Sequence, residues 1–276
     1  MSRLCQFFER TRQAYYKLID HSLQLELWDQ LIVAEVKKIR RRQPKVGTRK
    51  LHRMVNERLK PEGIQSGRDR LFDRRRPRDL LIRRRRSAKQ TTDSRHRLNK
   101  YGNRIRDLEI THPNQVYVAD ITYVETLLGF CYLALITDAY SRKIVGYDLS
   151  RSLSLEGSLR ALQMALAQLS GPIQLIHHSD RGLQYCRHAY VNLLRAHGVQ
   201  ISMTEEQHVY ENAKAERVNG ILKSEFLLGE RLASFDVAHK LVKEAIQIYN
   251  DERLHLSLNY QTPAMGHGTA SPLQVC

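Results

Sequence analysis

The pattern of apolar and polar positions changes character near residue 112. Before it, apolar residues recur at three- and four-residue spacing between runs of charge; after it, short apolar runs alternate with amphipathic stretches. At the amino end, Leu4, Phe7 and Phe8 precede Ala14, Tyr15, Tyr16 and Leu18 at helical spacing, across a polar Glu9-Arg10-Thr11-Arg12 break. That spacing predicts a small helical hairpin over residues 1–27. From about Gln30 the stripe Leu31, Val33, Val36 and Ile39 predicts another helix. Gly47 then breaks the pattern and Thr48 caps a helix with Leu51, Met54, Val55 and Leu59 on its apolar side. After a second break at Gly63, Ser66 caps a third helix containing Leu71 and Phe72. Residues 28–90 thus form a three-helix unit with tight turns, and the polar residues 91–111 read as a linker.

Residues 112–255 carry a different alternation. Val116–Val124 and Phe130–Tyr140 are two strands around a Leu128-Gly129 turn, and Lys143–Leu149 is a third. Ser154 caps a helix to Leu169 with Leu155, Leu159, Leu162 and Leu166 on one face, stopped by Ser170-Gly171-Pro172. Ile173–His178 is a fourth strand, Arg187–His197 a helix ended by Gly198, and Val199–Met203 a fifth strand. Helices at about 210–228 and 234–252 follow, leaving 256–276 as a tail. This is an α/β order, three strands and then alternating helix and strand, which gives a five-stranded mixed sheet flanked by helices. In that order the first strand lies beside the end of the fourth.

Charge divides the chain at nearly the same place. Residues 1–106 hold 31 basic and 11 acidic residues, net +20, whereas residues 107–276 hold 14 and 18, net −4. A cationic half beside a slightly acidic one implies nucleic-acid binding by the first and other chemistry in the second. The third predicted helix carries Arg68, Arg70, Arg74, Arg75 and Arg76, and Arg83, Arg84, Arg85 and Arg86 follow Pro77. Arginines in such a run neutralise phosphates, giving affinity and salt dependence rather than sequence information. The four cysteines are widely spaced, with no Cys-x-x-Cys, which argues for a reducing cytosolic compartment and against a zinc module. No apolar stretch is long enough to span a membrane, and no signal-peptide core opens the chain.

Within the second half three carboxylates stand out. Asp120 lies mid-strand in Ala119-Asp120-Ile121-Thr122-Tyr123. Asp180 closes the fourth strand and opens Asp180-Arg181-Gly182-Leu183-Gln184-Tyr185. Glu216 lies in the helical Tyr210-Glu211-Asn212-Ala213-Lys214-Ala215-Glu216, with 35 residues between it and Asp180. Two strand ends and a helix can gather the hard oxygen ligands that two divalent ions need to act on a phosphodiester. Asn219 and Lys223 follow Glu216 at three and seven residues, on the same helical face, as candidates for holding phosphates. His177 and His178 point to opposite faces of their strand and read as residues shaping the site mouth. Asp138 and Asp148 read as turn or edge carboxylates, and Glu205, Glu206 and Glu211 as loop residues.

These strings, with Tyr249-Asn250-Asp251-Glu252-Arg253-Leu254-His255-Leu256-Ser257-Leu258 and Thr262-Pro263, resemble the integrase-type catalytic core of bacterial insertion-sequence transposases. The likeness is to the downstream-frame (OrfB) protein of the IS-three family. It implies a ribonuclease H-like fold preceded by an all-α helix-turn-helix region, with a short helix-turn-helix in residues 1–27. It implies a DDE transposase in which Asp120, Asp180 and Glu216 hold two Mg²⁺ or Mn²⁺ ions and catalyse end cleavage and strand transfer. The implied partners are double-stranded DNA, further copies of the chain assembled on it, and an upstream-frame (OrfA) protein or fusion. The implied setting is the bacterial cytoplasm and nucleoid. Two other classes use some of the same features: a ribonuclease H-like nuclease or resolvase that only hydrolyses, and a DNA-binding regulator without catalysis.

Overall fold

The structure is a computed structural model and describes residues 7, 11–75, 98–170, 174–205 and 213–268. It divides into two compact units, Met1–Arg83 and Arg84–Cys276.

In the first unit, helix α1 spans Arg12–Arg42, α2 spans Thr48–Leu59 and α3 spans Arg68–Arg75. Of the hairpin expected over residues 1–27, the first arm falls largely outside the described residues, and the second is the start of a longer helix: Thr11 Oγ1 accepts from the Ala14 amide, and the chain then runs helically to Arg42. Thr11, read as part of a break, is therefore the cap that starts α1. The boundary expected at residue 27 falls inside this helix. Of the expected stripe Val36 and Ile39 are buried and Val33 is half-buried, whereas Leu31 is exposed and Ile32 and Glu35 are buried in its stead. Burying Glu35 is tolerated because Arg58 of α2 reaches its Oε1 at 2.7 Å and Lys38 its Oε2 at 3.1 Å. On α2 the expected Leu51, Met54, Val55 and Leu59 are all buried. Gly47, not Thr48, is its cap residue. Gly63 turns the chain at φ 71°, as a break there requires. Ser66 does not cap α3 with its side chain; its amide donates to Asn56 Oδ1 and its hydroxyl donates to the Gly67 carbonyl.

The second unit holds the mixed sheet. Strands β1 (Val116–Thr126), β2 (Gly129–Asp138), β3 (Ile144–Ser150), β4 (Ile176–Ser179) and β5 (Gln200–Met203) lie in the order β3-β2-β1-β4-β5. The first three form an antiparallel meander, and β4 and β5 run parallel to β1. Helix α4 (Leu155–Leu166), the short turn α5 (Leu183–Cys186) and α6 (His188–Ala196) cover one face, burying Tyr117, Ala119, Ala134 and Ile136. Helices α7 (Ala213–Glu225) and α8 (Phe235–Asp251) cover the other, burying Val124, Leu133 and Leu135. Alternation along β1 therefore sends Tyr117 and Ala119 toward α4 and α6, and the even-numbered positions from Val116 to Val124 toward α7. Asp120 is on that second side.

Two stretches expected to be peripheral belong to this unit's packing. In the supposed linker, Leu98 and Tyr101 pack on the first core, and Ile105, Leu108 and Ile110 pack with Val116, Val118, Ala139 and Ala215. Arg104 donates its amide to Ser202 Oγ at 2.9 Å, so this strap runs along the edge strand β5. In the supposed tail, a short helix α9 (Pro263–Gly268) buries Pro263 and Gly266, and His267 Nδ1 lies 3.0 Å from Ser141 Oγ.

Candidate active site

Asp120 occupies the middle of β1 opposite Leu135. Asp180 is the first residue past β4. Because β4 pairs in parallel with β1 through Ala119 and Ser179, the next residue of each strand brings Asp180 alongside Asp120. Glu216 enters from the first turn of α7 and is exposed. One turn on, the buried Asn219 donates its Nδ2 to Asp120 Oδ2 at 2.6 Å, and the Ile121 amide donates to Asp120 Oδ1 at 2.9 Å. Lys223 follows on the same face, with Nζ 4.6 Å from the centre of the Tyr123 ring.

The Asp-x-Gly-x-x-Tyr string has a steric reason. The Gly182 amide donates to Asp180 Oδ1 at 2.9 Å. A Cβ at position 182 would stand 2.8 Å from that same oxygen, and its φ of −63° is one any residue adopts. Gly182 is thus present for room and not for backbone freedom. Three residues further, Tyr185 is buried beneath the loop, edge to face with Tyr190 at 5.4 Å. Burial pushes its hydroxyl well above the usual range, with the charge of Asp180 next in weight.

The electrostatics tie the three carboxylates together. Burial is the largest cause raising the Asp120 carboxyl, to about 7; the charge of Asp180 is next, and that of Glu216 adds to it. The hydrogen bonds from Ile121 and Asn219 pull the other way without cancelling the rise. Lys223 is lowered by burial and partly restored by Asp120. Among the described residues, no group of three His, Cys, Asp or Glu is drawn together closely enough to hold a metal ion. The donor set nonetheless fits a hard divalent cation. Like-charged carboxylates repel, and a cation between them reverses that repulsion. Asn219 Oδ1 is also buried with no hydrogen-bond partner among the described residues, a further uncompensated oxygen beside Asp120.

Other expected residues fall elsewhere. His177 and His178 do not shape a mouth: both are buried in the sheet, His177 Nε2 lying 2.9 Å from Tyr190 Oη and His178 Nδ1 2.9 Å from Ser202 Oγ. Burial holds His177 down to about 3, which keeps it neutral. Asp138 is a buried turn carboxylate accepting from the amides of Asn114, Tyr140 and Ser141, and Asp148 is paired with Arg160 at 2.8 Å. Glu205 is paired with Arg106 at 2.6 Å, while Glu206, Glu211 and Asn212 lie outside the described residues. Arg68 and Arg70 are exposed on α3, and Arg68 Nε lies 2.9 Å from Asp69. Arg74 and Arg75 lie in α3, but their side chains are outside the described set, as are Arg76, Arg83, Arg84, Arg85 and Arg86 altogether. Sequence reasoning gave Asn219 to phosphates and missed its bond to Asp120. Helical spacing put it on the right face, but only the packing of α7 on β1 reveals its partner.

Residues 110–208 and 197–263 each match a family described as the integrase core domain. Over 266 residues the chain is 38% identical to a 31 kDa protein of insertion element IS600 from Shigella sonnei, covering 95% of this chain and 96% of that one. It is 36% identical over 150 residues to the transposase InsF for insertion sequence IS3A of Escherichia coli strain K12, covering 54% of this chain and 52% of that one. Among solved structures, a chain of the simian T-cell lymphotropic virus intasome in complex with PP2A regulatory subunit B56 gamma is similar in fold. The TM-score is 0.51 at 16% identity, over 83% of this chain and 76% of that one.

Proposed function

The chain belongs to the bacterial insertion-sequence transposases with an integrase-type core, and from that premise we propose that Asp120, Asp180 and Glu216 are the carboxylates with which it cuts element ends and joins them to DNA. The observation that carries this assignment is geometric: the parallel pairing of Ala119 with Ser179 sets Asp180 beside Asp120, and Asn219 ties the helix that bears Glu216 to Asp120. These three residues would hold divalent cations, two Mg²⁺ or Mn²⁺ ions. Bound there, the cations supply Lewis acidity for the attacking and leaving oxygens of a phosphodiester.

The chain's own residues orient that chemistry. Asn219 fixes the rotation of the Asp120 carboxylate through Oδ2, and the Gly182 amide fixes that of Asp180 through Oδ1. Lys223, held over Tyr123, offers a cation to a phosphate beside the carboxylates. In cleavage, water attacks a phosphodiester at the element end, one P–O bond forms, another breaks, and a 3′-hydroxyl leaves. In joining, that hydroxyl attacks a second phosphodiester with the same exchange of bonds and no covalent enzyme intermediate.

The amino-terminal unit would deliver the DNA. Its α2 and α3, joined through residues 60–67 with the chain turning at Gly63, suit a helix-turn-helix with α3 toward the groove, and its exposed Arg68 and Arg70 suit duplex phosphates. We assign Arg74, Arg75, Arg76 and the run Arg83 to Arg86 to the same role on charge. Catalysis on paired ends would require copies of the chain assembled on DNA, with an upstream-frame (OrfA) protein as a further partner. The test is to incubate the full chain with linear duplex DNA carrying element ends. Joined products are expected with Mg²⁺ or Mn²⁺ and none with EDTA; hydrolysed ends without joining in either ion would contradict the proposal.

A further inference from the structure

The carboxyl end of α7 is gripped by a buried polar network that this catalytic reading leaves unused. Arg253, just past α8, is only 5% exposed. Its Nε donates to Glu225 Oε2 and its Nη2 to Glu225 Oε1, each at 2.8 Å, in the two-pronged geometry that a guanidinium shares with a carboxylate. Its Nη1 lies 2.7 Å from His255 Nε2, and its guanidinium lies 5.7 Å from the Tyr249 ring centre. An arginine only donates, so His255 Nε2 accepts, which makes that ring neutral with its proton on Nδ1. The Tyr249 and His255 rings meet edge to face at 5.2 Å and complete the enclosure.

Glu225 is the last residue of the helix that carries Glu216 in its first turn. Between them, Asn219 ties the helix to Asp120. Apart from that bond, α7 is held to the sheet by the apolar packing of Val218, Ile221 and Leu222, which resists a pivot about Asn219 less sharply than a directed bond does. At 1.5 Å per residue the arm from Asn219 to Glu216 is about 4.5 Å and the arm to Glu225 about 9 Å. A swing of about 2 Å at Glu225 would then move Glu216 by about 1 Å, a misplacement that costs a catalytic group roughly a hundredfold. The Glu225–Arg253 grip removes that pivot. A buried ion pair is also a poor source of net stability, so geometry is the better account of why so much polarity is enclosed here.

We propose that Arg253, backed by His255, is a positioning residue for Glu216. By fixing the far end and the rotation of α7, it sets how closely Glu216 approaches Asp120 and Asp180. The proposal rests on reading Glu216 as a metal-holding carboxylate.

The test compares the full chain with Arg253→Lys, Glu225→Gln, His255→Leu and His255→Gln. Lysine cannot reproduce the two-pronged bond, and glutamine at 255 keeps an acceptor near the place of Nε2. Mn²⁺ binding without DNA is read from the paramagnetic resonance signal of the free ion, the Mg²⁺ requirement from joining assays, and folding from thermal unfolding in metal-free buffer. The first three variants should weaken Mn²⁺ binding about tenfold, the scale expected when a ligand loses its supporting partners, and should raise the Mg²⁺ needed for joining in parallel. His255→Gln should stay near the parent. Folded variants that bind Mn²⁺ like the parent, with only a lower unfolding temperature, would overturn the proposal and leave Arg253 a purely structural residue. Should Arg253→Lys fail to fold, Glu225→Gln and His255→Leu carry the comparison. A parent chain that binds no Mn²⁺ would instead sink the metal reading of Glu216, and the inference with it.

Discussion

At Asp120 the cost of ionisation is written into the fold, because burial and two like charges hold its carboxyl up to about 7. The usual value is 3.8, so between pH 4 and 7 the unfolded chain releases a proton that the folded chain keeps. Stability therefore falls as pH rises through that window, and the full penalty stands above 7. Asp120→Asn should remove this slope and stabilise the metal-free protein at pH 8 by on the order of 2 kcal/mol, with little effect at pH 4. Thermal unfolding of both proteins across pH 4–8 reads the difference; parallel curves would show that Asp120 carries no such burden. Two neighbours test orientation. Gly182→Ala, whose methyl would press on Asp180 Oδ1, should slow joining roughly a hundredfold while costing little stability. Asn219→Ala should weaken metal binding about tenfold and leave DNA affinity alone, the opposite of what a phosphate-binding role predicts. Gel-shift titrations beside Mn²⁺ binding separate those two roles.

Among the elements, the core was legible and the amino-terminal unit only partly so. Strand runs such as Val116–Val124 and the stripe of Leu155, Leu159, Leu162 and Leu166 carry two clear periods, and each element formed close to its expected place. In the first unit apolar residues sit on several sides of α1, so Leu31 could be read into the place that Ile32 fills, and Thr11 could be read as a break instead of a cap. Residues 98–111 failed for another reason. Their Leu98, Tyr101, Ile105 and Leu108 recur at the three- and four-residue spacing of a helix, yet the segment forms turns and irregular backbone that follow the surface they cover, so the period says nothing of the packing there. A catalytic unit begun at residue 112 should thus unfold at a lower temperature than one begun at 98, by several degrees if the strap contributes even about 1–2 kcal/mol. Equal unfolding temperatures would return these residues to the role of a linker. Asp120 and Asp180 were legible as a pair because their neighbourhood follows from strand order. The partners of Asn219 and Arg253 were not, since they depend on how α7 packs against β1 and α8.

Along the whole molecule, net charge falls from +20 in residues 1–106 to −4 beyond, so most of the salt-dependent affinity for duplex DNA should reside in the first stretch. Neutralising Arg83, Arg84, Arg85 and Arg86 together should weaken binding to element ends and to random DNA alike. It should also flatten the salt dependence by about one unit of slope for each phosphate left without its arginine. A catalytic unit that binds as tightly and as salt-dependently as the full chain would refute this division. The division also permits a clean test of the three carboxylates, since a change in the acidic half can stop the chemistry without releasing the DNA. That test is a single-turnover joining assay on DNA bearing element ends, run for the parent, Asp120→Asn, Asp180→Asn and Glu216→Gln beside gel shifts on the same DNA. Each substitution keeps the side-chain volume and removes one charge that a cation needs. All three should fall to background in joining while binding DNA within about twofold of the parent, a difference below about 0.4 kcal/mol. Near-normal joining by any one of them would contradict the assignment of Asp120, Asp180 and Glu216.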